Sequence, residues 1–82
     1  MRRLQVRLGR AVRALRVSAG FSQESFAAAI QVHRTCMGNI ERGRVDPRLE
    51  TLQCLARGLR MPTWQLLLLA ETMEQSDEEA GA

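Results

Sequence analysis

The side chains of this sequence that could do chemistry are mostly guanidinium groups. All twelve basic residues are arginine, lysine is absent, and there is one histidine, His33. Over residues 1–70 the twelve arginines meet four carboxylates (Glu24, Glu41, Asp46 and Glu50), a net charge of +8. Residues 71–82 carry five carboxylates and no base, which brings the whole chain to +3. A planar, permanently charged fork of donors suits bidentate pairing with phosphate or carboxylate, and a body at +8 favours a polyanion as partner. Other chemistry has little to work with. A catalytic site needs several convergent groups, but the lone histidine has no visible partner set, there is no phosphate loop, and the carboxylates lie mainly in the tail. Cys36 and Cys54 form no Cys-x-x-Cys pair, so no zinc site is expected and both are read as small apolar thiols. The chain is therefore not expected to be an enzyme, nor to hold a metal, a cofactor or a small-molecule ligand.

Helical elements must position these arginines. The chain has 82 residues, 45% of them apolar and 26% charged, which suits one soluble domain with a modest core. No apolar run reaches the ~20 residues of a membrane span, and Met1-Arg2-Arg3-Leu4 is not followed by the apolar stretch of a signal peptide. A cytoplasmic protein is expected. Strand alternation is missing, whereas helical spacing recurs throughout. The first helix is expected from about Arg3 to Ala19, on the stripe Leu4, Leu8, Ala11, Val12 and Leu15, with a stop at Gly20. The second runs from about Ser22 to Ile30, with Ser22 as cap and Phe21 and Phe26 as a hydrophobic staple. The third covers about Arg34–Arg42 and ends at Gly43. Asp46-Pro47 is expected to open the fourth, on the stripe Leu49, Leu52, Leu55, Ala56 and Leu59. Met61-Pro62 separates it from the fifth, which starts near Thr63. The expected fold is all-α, a compact bundle of five short helices over residues 1–70 followed by an acidic, frayed tail at 71–82.

Residues 22–43, Ser-Gln-Glu-Ser-Phe-Ala-Ala-Ala-Ile-Gln-Val-His-Arg-Thr-Cys-Met-Gly-Asn-Ile-Glu-Arg-Gly, read as helix, short turn, helix. Ala27, Val32 and Ile40 fall where the two helices must touch. With Leu-Gly-Arg at 8–10, Gly-Phe-Ser-Gln-Glu at 20–24, Ile-Glu-Arg-Gly at 40–43, Pro47, Leu49, Thr-Leu at 51–52 and Leu-Ala at 55–56, the chain resembles the phage-repressor and Cro-like helix-turn-helix family, also called the XRE family, over roughly residues 8–69. Arg34-Thr35 ahead of Ile-Glu-Arg-Gly is also similar to the small controller proteins of restriction–modification systems.

The resemblance implies a lambda-repressor-like DNA-binding domain whose third helix lies in the major groove of double-stranded DNA. It places Arg34, Thr35 and Asn39 at the base-reading positions. The side chains agree: Arg can pair bidentately with guanine and Asn with adenine, and positions 35 and 39 share a helical face. It assigns Gln23, Arg42 and Arg44 to backbone phosphates, with His33, which stands where Ser or Thr usually caps this helix, set beside them. Arg16 and Glu41 match a buried ion pair joining the first helix to the end of the third. The sequence departs from the family at Gln31, where the turn usually carries Gly, and at Gly38, which weakens the third helix.

Four consecutive leucines and a tryptophan in the fifth helix cannot all be buried in one monomer. Leu59, Met61, Trp64, Leu67 and Leu68 are therefore the expected seam of a homodimer. A two-fold dimer presents its recognition helices about 34 Å apart, which implies a palindromic operator. The expected function is that of a sequence-specific transcriptional regulator. The alternative is an antitoxin that binds a toxin protein and represses its own promoter. Activation versus repression, and with it any contact with RNA polymerase, is left open by the sequence.

Overall fold

The computed structural model of the chain describes residues 3–81, with side chains described as far as Thr72. Five helices follow one another: α1 (Leu4–Ser18), α2 (Gln23–Ala29), α3 (Arg34–Glu41), α4 (Leu49–Gly58) and α5 (Thr63–Gly81). The described residues contain no strand. The fold is the expected all-helical bundle, with α1 lying against α5 and α3, α2 against α3, and α4 against α5.

All five helices contribute to the core, α1 and α4 through most of their predicted stripes, although Leu4 of the first stripe is 40% exposed. Leu8, Ala11 and Val12 of α1 are buried, with Phe26 of α2, Met37 and Ile40 of α3, Leu52 and Leu55 of α4, and Leu66 and Ala70 of α5. Burial of side chains such as Phe26 and Leu55 contributes about 1.5–3 kcal/mol each. Gly9 lets α1 cross close to the end of α3: a Cβ there would stand 2.6 Å from the Glu41 carbonyl oxygen and closer still to that of Ile40.

α1 to α4 all terminate in the same way. The residue two past the last helical one has positive φ: Gly20 (85°), Gln31 (60°), Gly43 (71°) and Arg60 (60°). In each case the next residue donates its N–H back to a carbonyl five residues earlier: Phe21 to Arg16, Val32 to Ala27, Arg44 to Asn39 and Met61 to Ala56. This is the Schellman closure, which satisfies the last carbonyls of a helix in a short space. Glycine adopts the left-handed conformation without strain, while Gln31 and Arg60 hold it at a cost.

Three expectations are corrected. Asp46 does not cap α4 and Pro47 is not in its first turn; the N-cap is Arg48, whose side chain makes no capping bond. Arg48, one residue after the proline, keeps the extended backbone of an N-cap, and the first helical residue is Leu49. The helix therefore starts two residues late, and Leu49, expected on its buried stripe, is 73% exposed. Finally, α5 continues past Ala70 to Gly81. The side chains of 73–82, and with them the tail expected at 71–82, lie outside the described residues.

Candidate nucleic-acid interface

α2 and α3 form one rigid unit because both starts and the turn between them are held locally. Ser22 caps α2 by accepting from the Ser25 N–H at 3.0 Å, and the Ser25 hydroxyl accepts from the Ser22 N–H at 3.0 Å, a reciprocal box. Phe21 packs edge-on against Phe26, ring centroids 5.3 Å apart, as the staple spacing predicts. The turn runs through Gln31 in the left-handed conformation, which accounts for the glycine usual at this position in the family the chain resembles. His33 is the N-cap of α3: its Nδ1 accepts from the Thr35 N–H at 3.1 Å, replacing the usual hydroxyl. Ala27, Met37 and Ile40 are buried and Val32 is half-buried, so both helices are anchored on their inner faces.

The outer face of α3 is what remains. Arg34, Thr35 and Cys36 are exposed in its first turn, Asn39 is half-buried one turn on, and Arg42 and Arg44 are exposed at and beyond its end. The arrangement joins a row of hydrogen-bonding side chains to a cluster of fixed positive charge, which matches a surface that meets both base edges and phosphates.

A buried polar network ties this unit to α1. Arg16 donates from Nε to Glu41 Oε2 at 2.6 Å and from Nη2 to Oε1 at 3.0 Å, and its Nη1 donates to the Phe21 carbonyl at 2.8 Å. Both side chains are more than nine-tenths buried. The hydrogen bond to Glu41, helped by charge attraction, raises the Arg16 pKa above its ordinary value against the opposing effect of burial. Arg16 and Glu41 thus form a buried ion pair joined by two hydrogen bonds. Gln23 belongs to the same network, since its Nε2 donates to Glu41 Oε1 at 3.1 Å.

Besides the bonds of Gln23 to Glu41 and of Arg16 to the Phe21 carbonyl, two more contacts were not signalled by the sequence. Arg34 Nη1 donates to Glu24 Oε2 at 3.1 Å, linking the start of α3 to the first turn of α2 with both side chains largely exposed. No helical spacing signals a pair that closes across a turn. Gly38 is buried, and a Cβ built on it would lie 3.3 Å from Arg42 Nη2 and 3.6 Å from Gln23 Oε1. The missing side chain leaves a notch in which the Arg42 guanidinium and the Gln23 amide converge. The sequence marked Gly38 as a weak point in the helix but gave no sign of what used the space.

The seam candidates divide into two groups. Leu59, Met61 and Leu67 are half-buried against the core, whereas Trp64 and Leu68, one turn apart on α5, are 66% and 55% exposed. Trp64 thus does not close the monomer core. Cys36 is an exposed free thiol and Cys54 a half-buried one, so only the second resembles the small apolar role expected of both. Among the described residues no cluster of metal-ligating side chains occurs, and no helix is long and apolar enough to cross a membrane.

A five-helix bundle that presents one helix of a tightly packed pair, with arginines around it, defines a DNA-binding helix-turn-helix protein. Comparison with known proteins agrees: residues 7–69 match the model of the family described as "Helix-turn-helix domain", and the chain belongs to that family. The HTH-type transcriptional regulator DdrOP3 of Deinococcus deserti is 37% identical over 71 residues, which are 87% of this chain and 54% of that protein. The chain thus spans about half the length of the curated relative it matches. Among solved structures, the clp gene regulator ClgR from C. glutamicum superposes with a TM-score of 0.82 at 26% identity, covering 88% of this chain and 92% of that one. The restriction–modification controller protein C.AhdI from Aeromonas hydrophila gives 0.72 at 32% identity, covering 76% and 94%.

Proposed function

We propose that the protein is a sequence-specific transcriptional regulator that binds double-stranded DNA as a homodimer on a palindromic operator. The observation that carries the reading is the geometry of α3. Its inner face is locked against α1 and α2, while Arg34, Thr35 and Asn39 lie on or beside its outer face. Arg34, Thr35 and Asn39 read base edges in the major groove. Gln23, Arg42 and Arg44 bind phosphates, and His33, whose Nδ1 is used by the cap, approaches them through Nε2. The similarity to DdrOP3, a transcriptional regulator, and to C.AhdI, a restriction–modification controller, supports the regulatory role and a controller-type context.

The exposed pair Trp64 and Leu68 supports a dimer through α5 and the segment leading into it. Monomeric proteins seldom leave neighbouring large apolar side chains in water without an interface. Selection of bound sequences from a random duplex library at two salt concentrations tests the proposal. A palindromic motif should be enriched at both, and Arg34→Ala should lose about 1–3 kcal/mol of specific binding with relaxed preference at one position. Binding that enriches no sequence and disappears at the higher salt would refute base reading and leave phosphate attraction alone.

A further inference from the structure

We propose that Glu24 is a positioning residue for base recognition: its carboxylate orients the Arg34 guanidinium and turns it away from phosphates, towards a base edge. The proposal rests on the base-reading role given to Arg34 above. The starting observation is the 3.1 Å bond between Arg34 Nη1 and Glu24 Oε2, made across the turn between α2 and α3. The two side chains are 67% and 75% exposed. A pair so open to water contributes little to folding. It also sets a negative charge beside the helix offered to a polyanion, which weakens binding to every duplex alike. The other carboxylate of this two-helix unit, Glu41, is buried and bonded to Arg16 and Gln23, so it presents no such charge.

What Glu24 gives in return is direction. A free arginine side chain samples many rotamers, and near DNA the phosphates compete with bases for it. The Glu24 carboxylate is itself well placed in the first turn of α2, where the helix dipole favours an anion. It engages Nη1 alone, and the Nη2 and Nε donors can still form the bidentate pair with guanine O6 and N7. A carboxylate beside the guanidinium also lowers the gain from a stray phosphate contact more than that from an aligned base contact. Glu24 thus gives up affinity for DNA in general and raises discrimination at one base pair.

The test is a double-mutant cycle on the full chain. Wild type, Glu24→Gln, Arg34→Ala and the double variant are titrated against the duplex enriched from a random library and against its single-base-pair variants. Arg34→Ala should flatten discrimination at one base pair. Glu24→Gln should lower discrimination at that same pair roughly two- to fivefold, the range an exposed ion pair can supply, while binding to mismatched duplexes tightens and the thermal melt falls by no more than a few degrees, the share of a first-turn anion. In the Arg34→Ala background, Glu24→Gln should leave discrimination unchanged. Undiminished discrimination in Glu24→Gln, or an equal loss with and without Arg34, overturns the proposal and leaves Glu24 as a helix-start anion or an independent DNA contact. Full discrimination at every pair in Arg34→Ala removes the base-reading role of Arg34 itself, a failure that is distinguishable because it does not involve Glu24.

Discussion

Replacing Arg16 with Ala should be among the most damaging single changes in this domain. The substitution takes two charge-assisted donors from Glu41 and one donor from the Phe21 carbonyl. Glu41, with a side chain 4% exposed, would keep only the Gln23 amide among these partners. Breaking a buried pair from one side costs about 3–5 kcal/mol, and the surviving Gln23 bond argues for the lower end, about 3 kcal/mol. A domain of 82 residues has roughly 4–12 kcal/mol of stability in total. The variant should therefore fold in the cold and melt roughly 12–24 °C below wild type, followed by circular dichroism and checked by urea titration. An apolar pair, Arg16→Met with Glu41→Leu, should recover most of the loss, because the damage lies in the orphaned charge rather than in the absence of attraction. Since the Arg16 pKa is raised on folding, its contribution is complete below the ordinary guanidinium value and is lost only as pH rises past the raised one. Arg16 should therefore add no pH dependence between pH 7 and 10. A loss under about 1 kcal/mol for Arg16→Ala, or a double variant as unstable as the single one, would refute this reasoning.

Leu68→Glu should give a monomer by sedimentation with little change in monomer stability, because Leu68 is 55% exposed; a persistent dimer would move the seam away from α5. At the left-handed positions the direction depends on the residue present. Arg60→Gly should raise stability by up to about 1 kcal/mol through relief of backbone strain. Gly43→Ala should cost more than about 1 kcal/mol, since its Cβ would stand 2.7 Å from the Val6 Cα, and equal melts for both variants would contradict the strain argument. Gly38→Ala should separate stability from binding: the helix gains up to about 1 kcal/mol, while a Cβ 3.3 Å from Arg42 Nη2 shifts that guanidinium and weakens binding to all duplexes. Unchanged affinity would show that the notch serves no contact.

Local signals carried much of the fold. Ser22 and Phe21 with Phe26 announce the start of α2, and Gly20 and Gly43 the ends of α1 and α3, because each acts through residues no more than five positions away. The Arg16–Glu41 pair joins residues 25 apart and was accessible only through family resemblance. Asp46-Pro47 misled because an Asp cap and a first-turn proline are common, yet extended backbone at Arg48 displaces the helix start. Leu49, the first residue of α4, stays exposed, and the buried stripe begins one turn later at Leu52. At the candidate interface, residue types were legible and their mutual contacts were not. Glu24 with Arg34, and Gly38 with Arg42 and Gln23, meet across a turn or a notch that no periodicity encodes.

Several positions that break a local rule gather around α3, the helix proposed to face DNA. Gln31 holds a strained turn, His33 caps where a hydroxyl would be usual, and Gly38 weakens the middle of a short helix. Natural sequences depart from local consistency mainly where function requires it. These three departures lie on α3 or just before it, whereas Arg60 holds the same strained conformation elsewhere, and their compensation lies behind α3: Met37 and Ile40 are fully packed, and the Arg16–Glu41–Gln23 network fixes the end of α3 to α1 and to the start of α2. Glu41 therefore has two consequences. Its Oε2 accepts from the core-side arginine, and its Oε1 accepts from both that arginine and Gln23, so the ion pair that stabilises the bundle also sets the orientation of a side chain proposed to meet phosphate. On this geometry, loss of Arg16 should weaken DNA binding even at temperatures where the variant is fully folded, because Gln23 would then be held by a carboxylate that is itself no longer fixed.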